Sequence, residues 1–346
     1  MGQPDDKLMV NATRQETQRR AVDKSGEIQL RRNTIVGWLE RMNLLVIPLI
    51  LVIIAMSLLS ERFFTQRNMI TVMRASSIYI IVGVGQAFLM TSKNIDLSVG
   101  SMMGLIMGLV GTFIFFGGSV PLAILYAIGL GLLLGTVNGA IVTKLGVPAL
   151  LATLGMMVSY RGMVNHYMYG TTVSRFPRQI VYLGQGTVGP IPMPIVIALA
   201  VAVLGACLYY FTRFGRYAVA IGGNEEAATL AGIPVKRWKT IFFAFQGLLV
   251  GIAALVFLGR LDSTNPGMGT GLELHVIVGV ALGGTLLFGG KGSIWGVVLG
   301  MFLIAVLTNG LMLAGAGFFI QNILLGILLV GSVALQVSRE KARGFD

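Results

Sequence analysis

Ten apolar stretches dominate this chain, at roughly 44–60, 75–91, 100–117, 120–143, 148–169, 193–211, 241–259, 272–289, 294–314 and 317–337. A helix needs about 20 apolar residues to cross a bilayer core. Lipid offers no water to a bare backbone, so only helices and closed barrels cross it. Hydrophobic residues make up 55% of the 346, charged residues 12%, and the mean hydropathy is +0.82. A soluble domain carries about 25% charged residues, so this chain cannot cover a water-facing surface. The fold class expected is all-α: a polytopic integral membrane helix bundle of about ten transmembrane helices. Eight crossings plus re-entrant pieces fit the same pattern. Between the first two stretches, 63–77 is too mixed to span and reads as an amphipathic piece lying on the membrane, carrying Arg67 and Arg74.

Charge sets the expected orientation. The polar stretch 1–43 has no apolar core near Met1 and no cleavage site, so it reads as a cytoplasmic tail and not a signal peptide, with an interfacial turn at Trp38. Most of the 26 Lys and Arg fall in that tail, in the loop 212–240, or beside the other short links on the same side. The positive-inside rule then places both termini in the cytoplasm. The expected domains are the tail 1–43, a transmembrane domain 44–337 and a C-terminal tail 338–346. The net charge of +12 does not indicate nucleic acid, because the basic residues sit at membrane edges facing lipid headgroups. The single cysteine, Cys207, excludes an internal disulfide.

The loop 212–240 is the longest polar interruption within the hydrophobic part of the chain. Its centre, 224–232, is helix-like. Asn224 is a good N-cap, Glu225 and Glu226 suit the positive end of a first turn, Ala227 and Ala228 propagate it, and Gly232-Ile233-Pro234 stops it. The string Gly223-Asn224-Glu225-Glu226-Ala227-Ala228, with Gly232 following, resembles the coupling loop of ABC importer permeases, in the form carried by ribose-type sugar permeases. On the residues alone, a capped cytoplasmic helix with no partner is the competing reading.

Two further stretches extend the resemblance. Ile95-Asp96-Leu97-Ser98-Val99-Gly100-Ser101 matches a motif of the same family, with Lys93-Asn94 where the family has two glycines. Asp96 reads either as the cap of the next helix or as part of a gate or solute path, and 91–100 as either a cytoplasmic loop or a re-entrant segment. Phe288-Gly289-Gly290-Lys291-Gly292-Ser293 is similar to the family's signature near the C-terminus. It is not a phosphate loop, because Thr285 stands at the first glycine position and Gly292 at the hydroxyl position. His166 and His275 lack metal-ligand spacing, and no catalytic set is expected. The amides inside the apolar stretches, Gln86, Asn138, Asn165, Gln246, Asn309, Gln321 and Asn322, suit either a polyol path or helix-to-helix hydrogen bonding. The outer loop 170–192 reads as a receptor site for a solute-binding protein or as a flap.

The resemblance implies the permease subunit of a bacterial ABC importer in the inner membrane, carrying a monosaccharide or related polyol. Its partners would be an ATP-binding subunit, which uses ATP and Mg, a periplasmic solute-binding protein, and a second permease copy or paralogue. This chain would bind no cofactor itself. Gly223 to Ala228 and Gly232 would couple to the ATPase, and Asp96, Ser98, Gln86, Asn138 and Asn309 are candidates for the translocation path. The rival classes are an ion-coupled secondary transporter, which needs acids deep in the spans, and a channel or scaffold, which needs no docking loop.

Overall fold

A computed structural model of the chain describes residues 46–341. The expected tail 1–43 with Trp38, and the residues after 341, lie outside the described part. The described residues from Pro48 onward form one compact unit. It is an all-α membrane bundle: α1 (Val46–Leu59), α2 (Gln66–Thr91), α3 (Val99–Phe115), α4 (Val120–Lys144), α5 (Ala149–Met168), α6 (Arg178–Gln185), α7 (Met193–Phe211), α8 (Arg213–Gly223), α9 (Glu225–Leu230), α10 (Val235–Leu261), α11 (Leu272–Leu282), α12 (Ile294–Leu313) and α13 (Phe318–Lys341). Strand in the described residues is confined to four two-residue pieces in two antiparallel pairs: β1 (Val173–Ser174) with β4 (Ser263–Thr264), and β2 (Thr187–Val188) with β3 (Ile191–Pro192).

Among the described residues, six helices are long and apolar enough to cross a membrane: α2, α4, α7, α10, α12 and most of α13. Helix α5 reaches 20 residues but carries Ser159, Tyr160, Arg161, Asn165 and His166. Helix α2 is the axis, buried along nearly all of its second half from Ser76 to Thr91 and packed by α7, α10, α11 and α12. Helix α10 packs against it and, on its other side, against α4. That second contact is made by small residues: a Cβ on Gly131, Gly135 or Gly139 of α4 would collide with the α10 backbone at Gly247, Phe243 or Thr240. In lipid, where burial of apolar surface gains little between helices, such close backbone approach supplies the van der Waals contact.

Two expectations change, and one loop gains a feature. The stretch 63–77 is not a separate surface piece, since one helix runs unbroken from Gln66. Its polar residues find partners within the protein: Asn68 and Asn309 exchange amide hydrogen bonds of 2.9 and 3.0 Å, and Arg74 donates to the Gln185 carbonyl. The apolar run 272–289 does not span as one helix, because α11 stops at Leu282 and an irregular glycine-rich link follows. The loop 170–192 contains the short helix α6, packed on α10.

The link from α10 to α11 is the least regular feature. It begins beside Gly111 of α3, where Thr264 packs, passes Gly104 at Met268 and reaches Gly100 at Gly269. Eleven residues of helix are roughly 16 Å, so the link descends well into the bundle alongside α3. Helix α11 therefore starts at depth, with only 11 residues left to reach the far end. Broken helices of this sort survive in membranes only where protein satisfies their backbone. Here Arg161 does so, donating to the carbonyls of Pro266 and Met268. Arg161 is thus a loop clamp beside Gly104 of α3.

Candidate functional site

Two groups of candidate residues assemble at different places. The first is the loop 212–240. Thr212 caps α8 by accepting from Phe214 N at 3.1 Å. Asn224 breaks the helix in extended conformation and caps α9, accepting from Ala227 N at 2.9 Å. After Leu230 the turn closes through Ile233 N to Ala228 O at 3.0 Å, with Gly232 at φ +81. A side chain at that φ is strained, so glycine is what lets the helix end and α10 start within four residues. Glu225 and Glu226 occupy the first turn, where the helix dipole favours them. Glu225 also pairs with Lys239 of α10 at 2.6 Å. The outer surface of α9 is bare, and Leu230 is 90% exposed.

Behind α9, α8 is wedged against the bundle. Gly222 lies against the Thr91 carbonyl at the end of α2 and the Gly290 amide, which are hydrogen-bonded to each other at 2.8 Å. Phe214 meets Phe88 of α2 at 5.0 Å, and Phe242 and Trp238 of α10 at 5.0 and 5.7 Å. Tyr217 meets Trp238 at 4.9 Å. The loop's base is an aromatic joint bonded to two long helices. The sequence marks the loop but not this joint, since the aromatics are spread over 88–242. A groove of about 620 Å3 opens beside it, lined by Lys93, Asn94, Lys144, Asn224, Glu225 and Lys236 among others. Lys93 and Lys144, at two short links, thus lie beside Lys236 and Lys239 of the loop 212–240.

The second group is internal. After Thr91 the chain passes Lys93 and Asn94 at the groove, then turns back into the bundle, with Ile95 O accepting from Thr153 at 3.3 Å. Asp96 is wholly buried. Its Oδ1 accepts from Ser98 N at 2.8 Å and Ser98 Oγ at 2.7 Å, and its Oδ2 from Asn138 Nδ2 at 3.2 Å. Asn138 also donates to Ser98 Oγ at 2.8 Å, and its own oxygen accepts from Tyr160 at 2.9 Å. The network ties the α2–α3 link to α4 and α5. It joins Asp96, Ser98 and Asn138, which the sequence could name only separately, and adds Tyr160, which had no signal.

Gln86 and Asn309 lie elsewhere. Gln86 is buried on α2 near Gln246 of α10, and neither amide has a hydrogen-bond partner among the described residues. Asn309 is occupied by Asn68, joining α12 to α2. Asn309→Leu should cost about 1 kcal/mol of stability, the scale of such pairs in lipid, with uptake falling no further than the amount of folded protein. Thermal unfolding in detergent alongside uptake checks this, and loss of uptake by a fully folded variant would place Asn309 on the solute path.

The comparisons agree with this architecture. The family model described as branched-chain amino acid transport system / permease component matches residues 68–333. The ribose import permease protein RbsC of Escherichia coli (strain K12) is 35% identical over 90% of this chain and 98% of its own length. RbsC of Bacillus subtilis (strain 168) is 34% identical, covering 85% and 91%. The xylose transport system permease protein XylH of Haemophilus influenzae (strain ATCC 51907 / DSM 11121 / KW20 / Rd) is 31% identical, covering 81% and 91%. No solved structure is significantly similar. With a matched model over most of its length and relatives aligned almost end to end, the chain belongs to this permease-component family, as a multi-pass transport protein of the inner membrane.

Proposed function

We propose that the chain is the membrane-spanning subunit of an ABC importer that admits a monosaccharide or related polyol. ATP hydrolysis in a partner subunit drives it, a periplasmic binding protein supplies the solute, and a second permease copy or paralogue completes the pore. The permease domain is 44–337, crossing about ten times, with both tails cytoplasmic. The relatives named for ribose and xylose import support the solute class. The observation that carries the mechanism is α9: a capped helix with a bare outer face, set on a joint that grips α2 and α10. The ATPase moves α9, the joint carries the motion to both long helices, and access to the pathway switches. This chain breaks no bonds and holds no nucleotide. Gly223 to Ala228 and Gly232 form the coupling element, and Asp96, Ser98 and Asn138 set the inner end of α3.

The ion-coupled reading needs a buried acid free to exchange an ion. Of the two candidate acids, Asp96 has both oxygens engaged by Ser98 and Asn138, and Glu273 accepts from Gly271 N at 3.2 Å beside the start of α3, which favours the ATP-driven reading. The test is Gly232→Leu. A Cβ there meets nothing within 4 Å, so the bundle assembles, but left-handed backbone costs a leucine roughly 1–2 kcal/mol and re-aims α9. Co-purification with the ATPase is expected to persist, while solute moved per ATP falls several-fold. Full coupling in that variant, or failure of any ATPase to co-purify with the wild-type chain, counts against the proposal.

A further inference from the structure

At the opposite end of the bundle from α9, a pocket of about 130 Å3 opens between α2, α10 and α11, lined by Tyr79, Phe257, Arg260, Gly269, Thr270 and His275. That is close to the volume of a cavity that holds benzene, about 150 Å3, so a larger ligand would lie partly in the open mouth of the pocket. Neither the coupling mechanism nor the Asp96 network uses it. Its floor is the bottom of the descending link, at Gly269 and Thr270. One wall is a stacked pair, Tyr79 and His275, with centroids 5.4 Å apart and planes 11° from parallel.

The charges here are one-sided. Arg260 is half-buried, and among the described residues it has no carboxylate within ion-pair distance. Arg74 lies close enough to repel it, and both are tied to Gln185: Arg74 donates to its carbonyl, and its side chain donates to the Arg260 carbonyl at 3.0 Å. The Arg74 Nε is buried without a hydrogen-bond partner among the described residues. A guanidinium taken out of water and left unpaired is costly. It also presents a planar fork of donors that matches a carboxylate. Beside it, His275 Nδ1 lies 2.8 Å from the Gly271 carbonyl. A carbonyl only accepts, so Nδ1 carries the proton and Nε2 of the neutral ring keeps a lone pair, an acceptor for an O–H group. The Tyr79 hydroxyl donates or accepts.

We propose that this pocket binds a hydroxylated carboxylate of about six carbons, the chemistry of a sugar acid. Arg260 holds the carboxylate, His275 and Tyr79 hold hydroxyls, and the stacked rings face the C–H surface. Its role as a stage of import rests on the importer reading above, while its chemistry does not. A neutral sugar would leave Arg260 unanswered. Lys93, the residue at which this chain departs from the glycine-rich motif it resembles, lines the groove at the other end.

The test is equilibrium binding of D-gluconate and D-glucose to the purified full-length chain in detergent, with phosphatidylglycerol retention measured in parallel. Gluconate is expected to bind at least tenfold more tightly than glucose. Arg260→Gln should remove that preference, and Arg260→Lys should keep part of it, which guards against a variant that merely misfolds. His275→Phe preserves the stacking and should weaken both ligands. Equal or tighter binding of glucose, gluconate binding unchanged by Arg260→Gln, or an effect of that variant on phospholipid retention alone would overturn the proposal. If the ATPase co-purifies and uptake proceeds without a gluconate preference, only this inference falls. If gluconate binds as stated but no ATPase partners the chain, the importer reading falls instead.

Discussion

Gly222→Val is expected to cut solute uptake at least tenfold. A Cβ at this position would run into the Thr91 carbonyl oxygen and the Gly290 amide nitrogen. Both are backbone atoms, and they are hydrogen-bonded to each other, so neither can move aside without breaking that bond. Overpacking a tight contact costs about 1–3 kcal/mol, and the only cheap relief is for α8 to lift from the bundle. The joint then loosens, and a movement of α9 is dissipated before it reaches α2. Uptake by proteoliposomes, normalised to ATP hydrolysed, is the measurement. Gly223→Ala is the control, because its Cβ would meet nothing within 4 Å and its unfolding temperature should equal that of the parent. Coupled uptake by Gly222→Val at the parental level would show that the contact with Thr91 and Gly290 does not transmit force.

Asp96→Ala is expected to destabilise the folded protein by about 3 kcal/mol, the scale of stranding buried donors that had a charged acceptor. It leaves Ser98 N, Ser98 Oγ and Asn138 Nδ2 without their acceptor in a place water does not reach. Asp96→Asn tests geometry separately from burial. One of its two polar atoms still accepts from Ser98, but an amide N–H₂ then faces the Asn138 amide that donated to it, so it should fall between alanine and the parent. Tyr160→Phe removes one outer bond of the network and should cost about 1 kcal/mol. Thermal unfolding in detergent ranks the three. If Asp96→Ala is as stable as the parent and only transport fails, Asp96 acts on the solute path and does not brace α3.

Much of this was legible in the chain. Apolar length located nearly every long helix, and the cap, acids, alanines and glycine of 224–232 located α9 within two residues at each end. Misread stretches were those where tertiary partners answer local polarity. Arg67 and Arg74 made 63–77 look interfacial, yet Asn309 and the Gln185 carbonyl complete that part of α2 inside the protein. The outer loop 170–192 read as a receptor site or a flap, and nothing in its residues announced α6, which packs on α10. The run 272–289 is apolar enough to span, but apolarity does not register that Gly283 and Gly284 end a helix already half its length inside the bundle. Of the site, Asp96, Ser98 and Asn138 stood out as polar residues in apolar surroundings. Tyr160, the aromatic joint and the Tyr79–His275 pair did not, since aromatic residues in apolar segments give no sign of which neighbour they will meet.

Helix α10 holds Lys239, paired with Glu225, near one tip and Arg260 near the other. Its 27 residues make a rod about 40 Å long, interrupted by no proline and seated closely on glycines of α4. A rod of that length tilting by about 5° swings its far tip by roughly 3.5 Å. That is enough to bring a guanidinium into or out of bonding range of whatever occupies the pocket. On the proposed reading, loading at one face and a power stroke at the other would be geared through a single shaft, with no chemical messenger between the two faces.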